Sequence, residues 1–546
     1  MLNIVSGLLL AAHIALGSPV NYEIALAGNF GEPRPNHFHG GIDIKTGGVE
    51  GKPIFSMGDG YVAHVSVGIG GYGNALYVHH PEGYTSVYCH LKKFTPQIAA
   101  MVRKWQYVHQ SCNGMMSFRP TDLPVAKGQL IAVSGNSGAS QAPHLHLEIH
   151  DSKTWNMYDP LDFLGHIVRD GLPPMAHGFM AYPMQGEGSF CGGTAKQTYG
   201  FGSHQLTRKF YAWGKVGFGI WANDYMEITY NRYGVRKTEL FVDDRNVFSS
   251  DVNNIPVQGN LMVNAWGDYE HFLRYHVWYM RSYIRPGVTL PCLKADANRG
   301  IVNFNEERDY HLTYVLTDFK GNVSRYSFTV TGKRAPIAVQ THMPVSRNML
   351  YVSRPNNFQL PGLQLTTPSG YVADDLELKP RVTQRPGAIS DAYCLMPVSC
   401  PMFNYGKLSL RVKRPVKDPS KLYIVSRMGA NRYMGGVYHD GWVTGRARDL
   451  GATYELDYDD QAPLVNAVSL SNVLTIGMSD SGSGLAGYKA YLDGRFILFE
   501  EVPKSPWVRC KLEDTPIRKT GRMRQLKFIA YDRCNNQRIF TTQIKY

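Results

Sequence analysis

The sequence predicts a mainly β protein: a compact antiparallel β-sheet domain at the N-terminus, followed by two or three immunoglobulin-like β-sandwich domains. Three observations predict it. The 546 residues are 43% hydrophobic and 18% charged, too long for one core and too apolar for a disordered chain. Punctuation by 55 Gly, 31 Pro and 34 Tyr leaves no room for the long Ala, Leu, Glu and Lys runs of a helical bundle. Beyond a break near residue 172, apolar and polar residues alternate with a period of two, less cleanly over 336–460, between turn signals spaced as in sandwiches.

Taken in order, residues 1–17 read as an export signal. Leu2 to Gly17 is apolar, lacks acidic residues and Lys or Arg, and ends on Ala15-Leu16-Gly17 before Ser18, although a basic start is missing. A buried strand is the other reading of this segment. Residues 18–172 are dense in Gly and His, with short strands such as Gly60–Val67 and Asn74–His79 set between Gly-rich turns. Within them, Thr95-Pro96 followed by Ile98, Met101, Val102 and Trp105 predicts a helix over 96–107, either a wall beside a groove or a cover for a sheet edge. The Leu172-Pro173-Pro174 break marks a boundary, with 173–197 as linker.

A sandwich is expected over 198–335, from alternation in Tyr225–Tyr230, Glu239–Asp243 and His311–Leu316. A further β-domain is expected over 336–460, and an immunoglobulin-like sandwich over 461–546. Trp221-Ala-Asn-Asp224, Phe241-Val-Asp-Asp-Arg245 and Asp318-Phe-Lys-Gly-Asn322 recur in order as Gly477-Met-Ser-Asp480, Tyr491-Leu-Asp-Gly-Arg495 and Asp532-Arg-Cys-Asn-Asn536, so two of these sandwiches are related. Their Asp and Asn residues suit turn caps better than Ca²⁺ ligands.

The net charge of +13 suits an anionic partner surface, of which nucleic acid is one kind. No internal stretch reaches the ~20 apolar residues of a spanning helix. The eight Cys contain no CxxC pair, which argues against a zinc ribbon or a thioredoxin-type site. Cys394 with Cys400 and Cys510 with Cys534 are candidate disulfides; buried free thiols are the alternative.

Chemistry concentrates in three short motifs. His39-Gly-Gly-Ile-Asp43 offers an imidazole and a carboxylate at i and i+4. Pro143-His144-Leu-His146-Leu-Glu148 offers two imidazoles on one face of a strand, and Tyr88-Cys89-His90-Leu91 ends another strand. Two His and one Asp would give Zn²⁺ three ligands, a net positive charge and an open fourth position, the catalytic kind of zinc site. A further imidazole within reach could then accept a proton from water. His37 competes with His39 as the ligand. His64, His79, His80 and His150 read as surface or turn residues, and Glu148 as either an orienter of His146 or a solvated side chain. The Gly68–Gly73 run reads as close backbone packing, since no helix signal follows it.

In combination these motifs resemble the lysostaphin-type zinc metallopeptidases, a LytM-like family of peptidoglycan endopeptidases. The match runs over about residues 28 to 150, through Phe38–Asp43, Pro53–Phe55, Asp59–Val62, Gly71–Asn74, Tyr88–Leu91, Lys127–Gln129, Gly135–Gly138 and His144–His146. The resemblance implies that His39, Asp43 and His146 hold Zn²⁺, and that His90 and His144 act on water and stabilise the transition state. It also implies an enzyme that hydrolyses stem or cross-bridge peptides of peptidoglycan; together with the N-terminal segment and the short apolar runs, the expectation is an exported protein, in the periplasm or at the cell surface, with no nucleic acid partner and no transmembrane segment in the mature chain. All five positions are present, which favours an active hydrolase. The alternatives are a non-catalytic wall-binding activator or scaffold, and a zinc protease acting on Gly-rich proteins. The protein partner of the C-terminal domains is left open.

Overall fold

The computed structural model describes residues 16–337 and 346–546. Most of the expected export segment lies outside the described residues; of it, Leu16 is buried in the first core and the Gly17 N–H donates to Met57 O. The chain is mainly β, with 8% helix and 47% strand. Among the described residues, no helix is long and apolar enough to cross a membrane.

The N-terminal module is built on one antiparallel sheet. Its strands run in the order Leu26–Gly28, Ile42–Lys45, His144–Asp151, Tyr84–Cys89, Ala75–His79, Gly60–Val67 and Gly114–Ser117. A smaller sheet of Pro53–Phe55, Leu130–Val133 and Lys93–Phe94 packs with it. The His144–Asp151 strand shows why the sequence folds this way. Leu145, Leu147 and Ile149 point into the core and are fully buried, so the period-two pleat sends His144, His146, Glu148 and His150 to the other face.

The helix spans Pro96–His109, with Pro96 in its first turn, and buries Ile98 and Val102. Trp105 lies over Gly114 on the edge strand, so the helix covers that edge. Its outer side is not free. Arg103 pairs with Glu500 at 3.1 Å, Gln110 accepts from the Tyr491 hydroxyl at 3.0 Å, and Tyr107 meets Phe496 edge-on, all from the last domain.

Three further cores follow. One gathers the Phe-rich interior of 176–330, where Phe179 stacks on Phe328 at 4.1 Å. A second lies between two five-stranded sheets within 356–458, and a third between two four-stranded sheets within 464–545. The segment expected as a linker is largely strand. Met175–Phe190 pairs along most of its length with Gln205–Asn223, because its Ala and Phe residues fill the Phe-rich core. Tyr225–Tyr230, expected as a strand, is instead a loop whose Met226 inserts into the first core. Glu239 and His311 do lie on strands, Lys237–Val242 and Asp309–Thr317.

The internal echo is structural. Lys237–Val242, Asp309–Thr317 and Val323–Gly332 are paired in the same order as Leu485–Leu492, Met523–Asp532 and Gln537–Lys545. The hairpin turns Asp243-Asp244 and Asp493-Gly494 both have positive φ at each central residue. In both, the Asp side chain caps a neighbouring strand, at His311 N and Gln525 N respectively.

All eight cysteines are free, so the candidate disulfides are not formed. Cys510 lies in the core between the sheets of the last domain, whereas Cys534 faces Tyr423 and Val425 of the preceding one. Cys394 donates to Met396 O, while Cys400 packs against the neighbouring core.

Candidate metal centre

Register assembles the site. Asp43 on Ile42–Lys45 stands directly opposite His146, and Cys89 flanks His146 on the other side. Cross-strand neighbours share a face, so Asp43 and His146 converge without any loop adjustment. His90 follows Cys89 with φ +59, a left-handed conformation that takes it out of the pleat and onto the His146 face. His39 is delivered by the loop before Ile42.

The donor atoms are close. His39 Nε2 lies 3.0 Å from Asp43 Oδ1 and 3.0 Å from His146 Nδ1, and His146 Nδ1 lies 2.7 Å from Asp43 Oδ1. Bonds of about 2.0–2.1 Å to a tetrahedral Zn²⁺ would set ligands about 3.3 Å apart, so the trio fits after opening by a few tenths of an ångström. Two imidazole nitrogens and one carboxylate oxygen also match the donor chemistry of a zinc site with an open position.

Each donor is held from behind. His39 Nδ1 donates to Asn29 O at 2.6 Å, which leaves Nε2 to face the centre. Arg34 donates to Asp43 Oδ2 at 2.8 Å. His146 Nε2 donates to Glu148 Oε1 at 2.8 Å, and the other Glu148 oxygen accepts from His150 Nε2 at 2.6 Å. The Tyr72 hydroxyl also donates to Glu148, and its ring stacks on His146. Glu148 is thus the orienter of His146 and is not solvated; it is 2% exposed.

Charges follow from this packing. Burial drives His39 down to about 4. Burial also opposes a charged His146, yet the hydrogen bonds to Asp43 and Glu148 outweigh it and raise that imidazole to about 9. Against the same desolvation, the imidazoles around Asp43 hold its carboxyl well below the usual carboxylate range.

His90 and His144 stand beside this trio, their ring centroids 4.8 Å apart and that of His90 5.8 Å from that of His146. His90 Nδ1 faces Ser137 O at 2.8 Å and His144 Nδ1 faces Ala142 O at 2.8 Å, which assigns the proton to Nδ1 in both and turns both Nε2 lone pairs inward. His144 Nε2 lies 3.4 Å from Asp43 Oδ1. His37 is outside this group, exposed and bonded to Pro35 O.

Two readings of the other histidines need correction. His80 and His150 are buried, at 0% and 2% exposure, and are not surface residues. His80 bridges Asp59 O and Ser86 Oγ; His150 stacks on Trp155 while holding Glu148. The i, i+2, i+4, i+6 spacing of His144, His146, Glu148 and His150 already places all four on one face. The backbones at Gly73 and Gly138 touch, since a Cβ on Gly138 would lie 2.3 Å from Gly73 N, in keeping with the packing role expected for the glycine run.

Sequence reasoning missed the support of the His39 loop by the second domain. Asn29 exchanges two hydrogen bonds with the Gly234 backbone, Asn36 exchanges two with the Asn264 side chain, and Phe38 N donates to Asn260 Oδ1 at 2.7 Å. No local motif signals these contacts, which span more than 200 residues of sequence.

Fold and donor set together define a metallopeptidase-type module. A family model described as Peptidase family M23 matches residues 37–121, and one described as Zu5-like domain matches residues 347–459. An uncharacterized metalloprotease of Haemophilus influenzae is 33% identical over 112 residues, which are 20% of this chain and 18% of that protein. Lipoprotein NlpD of Yersinia enterocolitica is 31% identical over 102 residues, 19% of this chain and 80% of that protein. The chain belongs to peptidase family M23. Among solved structures, the catalytic domain of lysostaphin from Staphylococcus simulans is 21% identical with a TM-score of 0.20, covering 26% of this chain and 92% of that one. A zinc containing peptidase from Vibrio cholerae is 24% identical with a TM-score of 0.21, covering 29% and 41%.

Proposed function

We propose that this protein is an exported zinc endopeptidase that hydrolyses peptide bonds in the stem or cross-bridge peptides of bacterial peptidoglycan. The observation that carries the reading is the convergence of His39, Asp43 and His146 beside two further imidazoles whose Nε2 atoms face the same space. His39, Asp43 and His146 would hold Zn²⁺, which supplies Lewis acidity that polarises a peptide carbonyl and acidifies water. Of the remaining pair, one Nε2 accepts the proton of the attacking water and returns it to the departing amine. The other, once protonated, donates to the carbonyl oxygen as negative charge builds there. The carbonyls of Ser137 and Ala142 keep both rings aimed during this exchange. Basic charge on the chain would favour approach to an anionic wall polymer.

The test is digestion of purified sacculi by the zinc-loaded chain, followed by separation and mass spectrometry of the muropeptides. Wild type should release cross-link or stem cleavage products, and His144→Ala should retain zinc while losing them. Unchanged muropeptides with zinc-loaded wild type would replace the enzyme by a wall-binding scaffold.

A further inference from the structure

Two carboxylate triads occupy corresponding places in the two echoing domains. Asp170, Asp224 and Asp318 form one, and Asp459, Asp480 and Asp532 the other; within each, the donor oxygens all lie within 4.8 Å of one another. The first Asp of each comes from the segment leading into the domain, and the other two from strand ends. Asp318 and Asp532 fill the turn-cap role expected from sequence. Each accepts two backbone N–H bonds on Oδ1, from Lys320 and Asn322 or from Cys534 and Asn536, and one side-chain amide on Oδ2.

Asp224 is not explained that way. It is 1% exposed, and its Oδ1 is buried with no hydrogen-bond partner. Asp170 Oδ2 is likewise buried and unpartnered. Native interiors rarely strand carboxylate oxygens, and two carboxylates with orphaned oxygens clustered with a third call for a cation. Burial, with the Asp170 and Asp318 charges beside it, pushes the Asp224 carboxyl up to about 8. Lys320 favours the charged form of Asp170 from nearby, but its Nζ donates to Gly165 O at 2.5 Å and leaves Asp170 Oδ2 and Asp224 Oδ1 without a partner.

We propose that Asp170, Asp224 and Asp318 form a Ca²⁺ site at the junction between the N-terminal module and the second domain. Three carboxylates with water completing the shell suit a hard cation that accepts flexible oxygen coordination. The site has a mechanical consequence. Asp224 and Tyr233 exchange backbone hydrogen bonds of 3.0 Å, closing the loop whose Gly234 grips Asn29, so a cation here stiffens the joint from its base. In the second triad, both oxygens of Asp459 and of Asp532 already accept protein hydrogen bonds, which makes it the weaker of the two.

Equilibrium dialysis of the zinc-loaded full chain against Ca²⁺ tests this. Saturable uptake is expected with a Kd of about 0.1–1 mM, the range of sites with few charged ligands. Asp224→Asn, which keeps the side-chain shape, should lower the uptake by one ion per chain, and Asp170→Asn, at the less buried rim, should do the same. Saturating Ca²⁺ should also raise the Tm of wild type by about 2–4 °C and leave Asp224→Asn unmoved. Absence of saturable uptake below about 10 mM, well above the Kd range of such sites, or equal uptake by wild type and both variants, overturns the proposal.

Discussion

Replacing Glu148 by Gln isolates what the layer behind the proposed metal ligands contributes. The carboxylate is buried and accepts from His146 Nε2 at 2.8 Å, from His150 Nε2 at 2.6 Å and from the Tyr72 hydroxyl. Only the first of these bonds touches a proposed ligand; the other two hold the carboxylate in place. An amide of the same shape keeps one acceptor for His146 but must turn its NH₂ toward His150 or Tyr72, both of which are donors here. The His146 ring then loses both a charged partner and a fixed orientation. Loss of such a partner weakens metal affinity about 10–100-fold, or roughly 1.4–2.7 kcal/mol. The assay is zinc competition against a chromophoric chelator at neutral pH, with unfolding followed in parallel to establish that the fold persists. A zinc Kd within threefold of wild type would refute the orienting role. Tyr72→Phe, which removes one support of Glu148 and no contact to a ligand nitrogen, should give a smaller effect in the same direction.

Other substitutions probe the scaffold. Phe179→Ala removes a fully buried ring stacked on Phe328 at 4.1 Å, and should destabilise the second domain by about 3–5 kcal/mol in denaturant unfolding. Gly138→Ala demands a side chain at φ +70, 2.3 Å from Gly73 N. It should cost at least about 1–2 kcal/mol and, by moving the loop whose Ser137 O aims His90, depress hydrolysis of a wall substrate while zinc uptake persists. Arg103→Ala deletes an exposed pair with Glu500, and its unfolding free energy should change by less than about 1 kcal/mol.

The N-terminal site was legible because strand periodicity and short spacing carry it. His144 and His146 at i and i+2, and His39 with Asp43 in one short motif, need only a single strand pairing to meet. Glu148 was half legible, since its face was readable but its burial was not. The β character of the remainder also showed in composition and alternation. What escaped was set by partners distant in sequence. Met175–Phe190 reads as a linker because Pro173, Pro174 and the glycines around it look like loop punctuation, yet Gln205–Asn223 supplies a full strand partner. Tyr225–Tyr230 alternates like a strand, but Met226 is drawn into the first core and Tyr230 stands in solvent. Residues Asn260 and Asn264 carry no signal of their own, because an Asn that satisfies a backbone 222 or 228 residues away looks like any loop Asn.

These distant contacts decide which appended domain the proposed metal centre depends on. The last domain touches the N-terminal module through Arg103–Glu500, Asn113–Glu501, Tyr491–Gln110 and a Lys504 hydrogen bond to Gly138 O. Those four contacts are polar, two of them exposed and two part-buried, and with the edge-on Tyr107–Phe496 contact they make a small interface of the kind that gives separable domains. The second domain differs in kind. It hydrogen-bonds the loop of residues 29–38 at Asn29, Asn36 and Phe38, buries Phe38 against Trp266, and inserts Met226 and Tyr233 into the first core. Since Asn29 O also fixes the His39 ring, loss of that clamp would free one proposed ligand directly, whereas loss of the last domain would leave all three in place. The proposed metal centre therefore leans on the N-terminal module and the second domain together, and a truncation placed at residue 172 would keep its three ligand residues while removing the clamp that holds the His39 segment.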